Sequence, residues 1–252
     1  MARVQVRPDT AFAPGALDDP ILVDGLPGVG LVGKLAADHL AEQFAAEPVA
    51  DVRCPALPNA AVYGPESSTV RTPVRIEAAP DADLLVLRSD VPVPADADGF
   101  AEALVAWADD YGATPVCVGG LAREREADDE RPPEVWGVAT PGGKAHLDRA
   151  GIVPPAMPGV LSGPAGALLD AAAAAETDAV GLVVEADTDE PDPTAARAVL
   201  ERGLGPLAGV DADGAGLSEG LEAVFDAGEE LASRMSEGGD DSSRAQPLSM
   251  FQ

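Results

Sequence analysis

Gly25-Leu26-Pro27-Gly28-Val29-Gly30-Leu31-Val32-Gly33-Lys34 is the stretch of this 252-residue chain whose residue types and spacing come nearest to a site for chemistry. Gly28, Gly30 and Gly33 follow a short apolar strand and open a helical pattern, the outline of a dinucleotide turn in which glycines admit a pyrophosphate. The stretch lacks the Gly-Lys-Ser/Thr close of a phosphate loop. Asp51 stands near the distance of a ribose-binding acid, yet with 44 acidic residues in the chain such a match carries little weight. The competing account is that the glycines let the first helix pack closely against a sheet or a neighbouring subunit. Lys34 is one of two lysines, with Lys144, and reads as a ligand candidate or as the partner of a nearby acid. Gly28, Gly30, Gly33 and Lys34 are therefore weak cofactor candidates, and the expectation is a turn empty of nucleotide and a protein without a cofactor.

Other chemistry has little to stand on. Cys54 and Cys117 are too few for a disulfide framework and read as small buried hydrophobes of a reducing compartment. His39 and His146 supply no basic partner for a nucleophilic thiol. There is neither an HExxH spacing nor a cysteine cluster for zinc, and no Ser-His-Asp or Cys-His set is identifiable. Asp24, Glu66, Asp90 and Glu185 are placed for strand ends, where open sheets bind ligands, but solvated or capping acids account for them equally well. No residue is assigned a catalytic or metal-binding role.

The other feature is the tail. Residues 236–252 are rich in Gly, Ser and Asp, a composition that predicts a flexible arm, and the arm ends in Met250, Phe251 and Gln252. An apolar residue and an aromatic at the tip of a polar arm suit burial by a partner, with about 1.5–3 kcal/mol available per large side chain. The terminal carboxylate adds a charge that a partner lysine or a backbone nest would capture.

The elements that position these residues alternate between strand and helix. Pro20–Gly25 reads as a strand and Val29–Phe44 as a helix, with apolar positions at Leu31, Leu35, Leu40 and Phe44. Extended segments are expected at Asp51–Leu57, Ala60–Gly64 and Ser68–Glu77, and strands at Asp83–Arg88, Pro115–Leu121, Pro132–Thr140 and Ala179–Ala186. Helices are expected at Ala97–Tyr111, with Phe100, Leu104, Trp107 and Ala108 on one side, at Ala156–Ala175, from Asp192-Pro193-Thr194 to Leu207, and at Leu217–Met235. The pattern predicts an α/β fold, a three-layer αβα sandwich around a mixed central sheet, with the glycine turn at the sheet edge. The divisions are an N-terminal segment 1–14, one domain over 15–235, and the acidic tail 236–252.

Composition bounds the partners. Hydrophobic residues make up 46% of the chain, which excludes wholesale disorder, while 44 acidic against 16 basic side chains give a formal charge of −28. That charge repels phosphates and anionic lipid, so neither nucleic acid nor membrane is an expected partner. Acid spread evenly among Ala and Gly, with lysine nearly absent, resembles proteins of salt-loving cells, where screening tolerates self-repulsion. The mixed, charged N-terminus and the short apolar runs predict a cytoplasmic protein. An Ala, Leu and Gly-rich surface around the first helix and the Ala165–Ala175 helix is expected to bury area against other copies.

Ile21–Phe44, with Asp24 through Gly33, resembles the N-terminal signature of the PAC2 family, relatives of the eukaryotic proteasome assembly chaperones. Further matches follow in order: Val116–Gly120, Val135-Trp136-Gly137-Val138-Ala139-Thr140, Gly151-Ile152-Val153-Pro154 leading to Gly159 and Leu168, then Glu185, Pro191-Asp192-Pro193, Ala195, Ala196 and Leu200. The resemblance covers roughly residues 15–235. It implies an αβα sandwich, a homo-oligomer, and a non-enzymatic chaperone-like protein of a halophilic archaeon that acts on 20S proteasome α-subunits. It also gives the tail a meaning, because some archaeal members end in a hydrophobic-tyrosine-any motif that inserts between α-subunits. Met250, Phe251 and Gln252 occupy those places, with phenylalanine keeping the ring and losing the hydroxyl, a loss of about 0.5–1.5 kcal/mol. Two rivals remain: a nucleotide-dependent ligase of the ATP-grasp type using the glycine turn, and an oligomeric scaffold without proteasome contact. The first asks for phosphate-neutralising groups and Mg²⁺-binding acids, against which the chain sets scattered arginines and Lys34.

Overall fold

Uncharged runs such as Leu84–Leu87 and Val116–Val118 have the unbroken apolar character of strands buried on both faces. The computed structural model, which describes residues 4–217 apart from 10–11, 14, 64–67, 94–98, 123–130 and 188–189, places them at the centre of one sheet. In chain order the elements are strands β1 (Gln5–Pro8) and β2 (Ile21–Gly25), helix α1 (Val32–Gln43), and strands β3 (Glu47–Arg53), β4 (Val62–Tyr63), β5 (Val70–Arg71), β6 (Val74–Ala79) and β7 (Leu84–Ser89). Then come α2 (Phe100–Asp110), β8 (Thr114–Ala122), β9 (Val135–Ala139), α3 (Lys144–Ala150), α4 (Gly163–Ala174), β10 (Val180–Ala186), α5 (Pro193–Val199) and α6 (Gly205–Ala208).

Eight strands lie in the order β1-β3-β6-β7-β2-β8-β10-β9, and β4 pairs with β5 apart from them. The strands β7, β2, β8 and β10 are mutually parallel, while β1, β3, β6 and β9 join antiparallel, so the sheet is mixed. One face is covered by α1, α3, α5 and α6, the other by α2 and α4, which makes the three layers of an αβα sandwich. Phe100, Leu104, Trp107 and Ala108 of α2 are buried together with Leu22, Ile76, Leu85 and Leu87 in the core of the second face. The chain divides into two units, Met1–Gly214 and Ala215–Gln252. The first holds every strand and helix named here, and of the second residues 215–217 are described, as a turn.

The face under α1 is held by charge as well as by apolar contact. In β6 and β7, Arg75 and Arg88 stand directly opposite one another, a like-charge cross-strand pair that is unfavourable by itself. Glu77 resolves it: Oε1 accepts from Arg75 Nε at 2.5 Å and Oε2 from Arg88 Nη1 at 3.1 Å. The chain of alternating charge continues in both directions. Asp38 of α1 accepts from Arg88 Nε at 2.7 Å and from Lys34 Nζ at 2.9 Å, while Asp90 accepts from Arg75 Nη1 at 2.6 Å. Lys34, Arg75 and Arg88 thus alternate with Asp38, Glu77 and Asp90 between helix and sheet, and the more exposed Arg71 Nε stands 3.9 Å from Asp90 at the end of the chain. Arg75 is 1% and Glu77 2% exposed. Burial pulls the Arg88 guanidinium down, but Asp38 and Glu77 more than offset it and leave the guanidinium above its ordinary range.

The differences from sequence expectation have local causes. The helix expected at Ala156–Ala175 begins at Gly163, because Pro154, Pro155 and Pro158 keep the preceding segment out of helix. The helix expected to run to Leu207 is interrupted by a π-helical turn at Leu200–Leu204, next to Gly205-Pro206, where proline cannot donate the helical hydrogen bond. The Ser68–Glu77 strand divides at Pro73 into β5 and β6. Strand β1 and helix α3 were not anticipated, being too short for a readable period. The first helix offers little free surface to a copy, since most of α1 is buried between the sheet and α5.

Glu77→Ala is expected to leave Arg75 and Arg88 facing each other with no carboxylate between them, each keeping its outer partner, Asp90 or Asp38, and to lower the free energy of unfolding by about 3–5 kcal/mol, as breaking a buried ion pair does. Glu77→Gln, which keeps an acceptor, is expected to cost less. Urea unfolding at one fixed salt concentration checks both, and a Glu77→Ala midpoint equal to wild type would contradict the charge-chain account.

Candidate functional site

The glycine turn sits at the carboxyl end of β2, between parallel neighbours β7 and β8, and so in the middle of the sheet rather than at its edge. All five residues of β2 are buried, which only an interior strand sustains. At its end the Asp24 carboxylate turns back and accepts from the Leu26 N–H at 2.9 Å, closing an Asx turn. Gly30 takes the left-handed region at φ +58, and its carbonyl accepts from the Asp192 N–H at 2.9 Å. A Cβ at Gly30 would stand 2.8 Å from the Asp187 carbonyl oxygen, so the position needs glycine for both conformation and space. Asp192 caps α5, accepting from the Ala195 N–H at 2.8 Å and from the Asp187 N–H at 3.2 Å. The turn is therefore tied to the β10–α5 connection by backbone.

Gly33, the second residue of α1, is closely packed: a Cβ there would stand 3.2 Å from the Asp24 carbonyl oxygen and 3.2 Å from the Val118 Cβ. Gly28 faces open space. Lys34, 6% exposed, donates to Asp38 and to the Ser89 carbonyl at 3.1 Å. Two of the three fingerprint glycines thus meet protein at close range, and the lysine belongs to the buried charge chain.

The candidate acids are not gathered. Asp24 lies on the α2 and α4 side of the sheet, lining a small enclosed cavity with Leu22, Leu104, Cys117 and Leu168. Asp90 belongs to the charge chain, Asp51 accepts from the Thr72 hydroxyl at 2.6 Å, and Glu185 is on β10, while Glu66 lies outside the described residues. Cys54 is half-buried; Cys117 is buried, and burial followed by the Asp24 charge pushes its thiol up, away from thiolate chemistry. His39 bonds the Asp213 carbonyl at 2.6 Å, and His146 Nε2 stands 3.7 Å from the Asp178 carboxylate. Among the described residues no His, Cys, Asp and Glu side chains cluster as for a metal ion, and no described helix is long and apolar enough to cross a membrane. Met250, Phe251 and Gln252 lie outside the described residues, as do residues 218–235 of the expected last helix.

Sequence reading passed over Asp38, Arg75, Glu77 and Arg88 as parts of one cluster. The signal was present: Arg75 and Glu77 alternate on one side of an otherwise apolar strand, and Lys34 and Asp38 are four apart on an otherwise apolar helix.

Asp24 carries a pH signature. Burial raises its carboxyl to about 7 from 3.8, opposed by the Leu26 N–H. The raised value means that Asp24 weakens the fold as pH rises: no penalty below about 4, a growing one while only the unfolded chain is ionised, and a constant one above about 7. Asp24→Asn keeps the acceptor for Leu26 and removes the ionisation. It is expected to be more stable than wild type at pH 8 by on the order of 2–4 kcal/mol, the difference shrinking to zero near pH 4. Unfolding followed across that range checks it, and parallel profiles for the two proteins would contradict it.

With this geometry fixed, the chain can be set beside known proteins. Its fold is similar to the crystal structure of Pyrococcus furiosus PbaA, described as an archaeal homolog of proteasome-assembly chaperone, with a TM-score of 0.74 and 23% identity over 93% of this chain and 98% of that one. It is also similar to Pyrococcus furiosus PbaB, described as an archaeal proteasome activator, with a TM-score of 0.67 and 23% identity over 94% of this chain and 100% of that one. A PAC2 family protein from Streptomyces avermitilis matches with a TM-score of 0.62 and 22% identity over 86% and 98%. At these identities the likeness is one of fold. An uncharacterised protein of Methanocaldococcus jannaschii is 45% identical over 38 residues, and this match spans 15% of the length of either chain. The model of the PAC2 family matches residues 22–232, from the first core strand through both helical layers, and the chain belongs to the PAC2 family.

Proposed function

We propose that this protein is a non-enzymatic, proteasome-assembly-chaperone-like protein of the cytoplasm that forms a homo-oligomer and docks on 20S proteasome α-subunits through Met250, Phe251 and Gln252. The observation that carries the reading is family membership across residues 22–232, together with likeness over nearly the whole chain to one protein described as a proteasome-assembly chaperone homolog and another described as a proteasome activator. The glycines of the turn favour it over a nucleotide-using ligase, because Gly30 and Gly33 approach protein atoms and Lys34 is engaged by Asp38 and Ser89. In this reading residues 15–235 are the oligomerising body and 236–252 the arm that carries the docking residues.

An apolar residue and an aromatic on an acidic arm suit a pocket between subunits, and several arms on one oligomer raise the effective concentration of each. Individually weak contacts then bind usefully together. Phe251→Ala is expected to remove most of the ring contribution, roughly 1.5–3 kcal/mol per arm, and Phe251→Tyr to keep or strengthen binding. Extension beyond Gln252 is expected to weaken it. Capture of α-subunits at high salt by the full chain and by a chain lacking residues 250–252 checks the reading: loss in the shortened chain is expected, and equal capture by both would move any contact to the folded body.

A further inference from the structure

Residues 150–169 form the longest stretch of the chain without a charged side chain, in a protein whose residues are 24% charged. The structure puts much of that stretch on the outside. Val153 is 60%, Met157 73% and Val160 92% exposed. The segment is nonetheless firmly placed. After α3 the Ile152 N–H bonds the Leu147 carbonyl, and the Val153 carbonyl accepts from the Gly137 N–H at 2.9 Å, which lays the chain along the outer edge of β9. At the other end Leu161 packs over Gly119 and Gly181, on the face that α4 covers. Residues 152–161 therefore wrap the β9 edge from one helical layer to the other. Pro154, Pro155 and Pro158 fix φ at three of the ten positions along the way, which removes part of the conformational freedom that binding would otherwise cost.

We infer that residues 152–161, wrapped around the β9 edge, are the surface on which a second copy of this chain docks. The occupant follows from charge. Two bodies of formal charge −28 repel across most of their surfaces and meet at least cost where neither carries charge, whereas a basic partner would be drawn to the acidic faces instead. Soluble copies commonly pair by one patch against itself, and a stiff apolar ridge can serve on both sides of such a contact. The β9 edge is already shielded by Val153, so pairing goes through side chains rather than by extending the sheet. An interface of this kind tightens as salt rises, since screening removes repulsion without weakening apolar contact. The inference rests on the self-association part of the proposed function and locates it.

Sedimentation equilibrium of the full chain from about 0.3 M to about 2 M salt is the test, with Met157→Asp/Val160→Asp, the uncharged Met157→Ser/Val160→Ser, and a chain lacking residues 250–252 alongside. The full chain is expected to self-associate more strongly at higher salt, the Asp pair to weaken association on the order of tenfold or more, the Ser pair to weaken it less, and the shortened chain to match the full one. Thermal unfolding of the two double variants is expected to match wild type, because both side chains project into solvent. Undiminished association of the Asp pair would overturn the assigned surface and leave the homo-oligomer reading in place. A full chain that stays monomeric at every salt concentration would overturn both, and loss of α-subunit capture in the Asp pair of that monomer would reassign the surface to the proteasome.

Discussion

A charge of −28 on 252 residues is the constraint against which the rest of the structure is arranged. With 16 basic side chains available, the protein commits Lys34, Arg75 and Arg88 to a mostly buried chain of alternating charge between α1 and the sheet. Buried pairs are screened by salt far less than exposed ones, so these contacts keep their strength in brine while surface repulsion is damped. A like-charge pair placed directly across β6 and β7 needs Glu77, and Glu77 needs both arginines. The packing of α1 onto the sheet is consequently specific in register as well as apolar.

That arrangement bears on how the glycine turn should be understood. Lys34 stands one residue after the last glycine, where a phosphate ligand would be looked for, yet its ammonium is committed to Asp38 and the Ser89 carbonyl. Gly30 serves a different end: its left-handed backbone and its carbonyl bond to Asp192 join the first β-turn-α unit to the last. The turn lies at the carboxyl end of a central strand, where open α/β sheets bind ligands, and here that place is used for closing the fold upon itself.

Much of this was legible in the chain. The three-layer sandwich followed from the alternation of apolar strands and amphipathic helices, and α2 presents the apolar side that Phe100, Leu104 and Trp107 indicated. What could not be read depended on partners distant in sequence. Strand β1 has four residues and little apolar pattern, and it is a strand only because β3 pairs with it. Helix α3 has seven residues, too few to show a period, although Gly151 at φ +69 after it is an ordinary stop signal. Asp38, Arg75, Glu77 and Arg88 look like solvated charges until β6 and β7 are set side by side beneath α1. The placement of the glycine turn at an edge failed for a related reason, since strand order is a property of the whole sheet.

Family membership sets the sandwich among PAC2 proteins, and the buried charge chain fixes how its first helix seats on the sheet. The proposed association with the proteasome is the central claim, and electron microscopy of the full chain mixed in excess with 20S particles at molar salt tests it most directly. The account predicts added density on the outer face of the α-ring, with the arm reaching between α-subunits. Particles with bare α-rings under saturating conditions would contradict it.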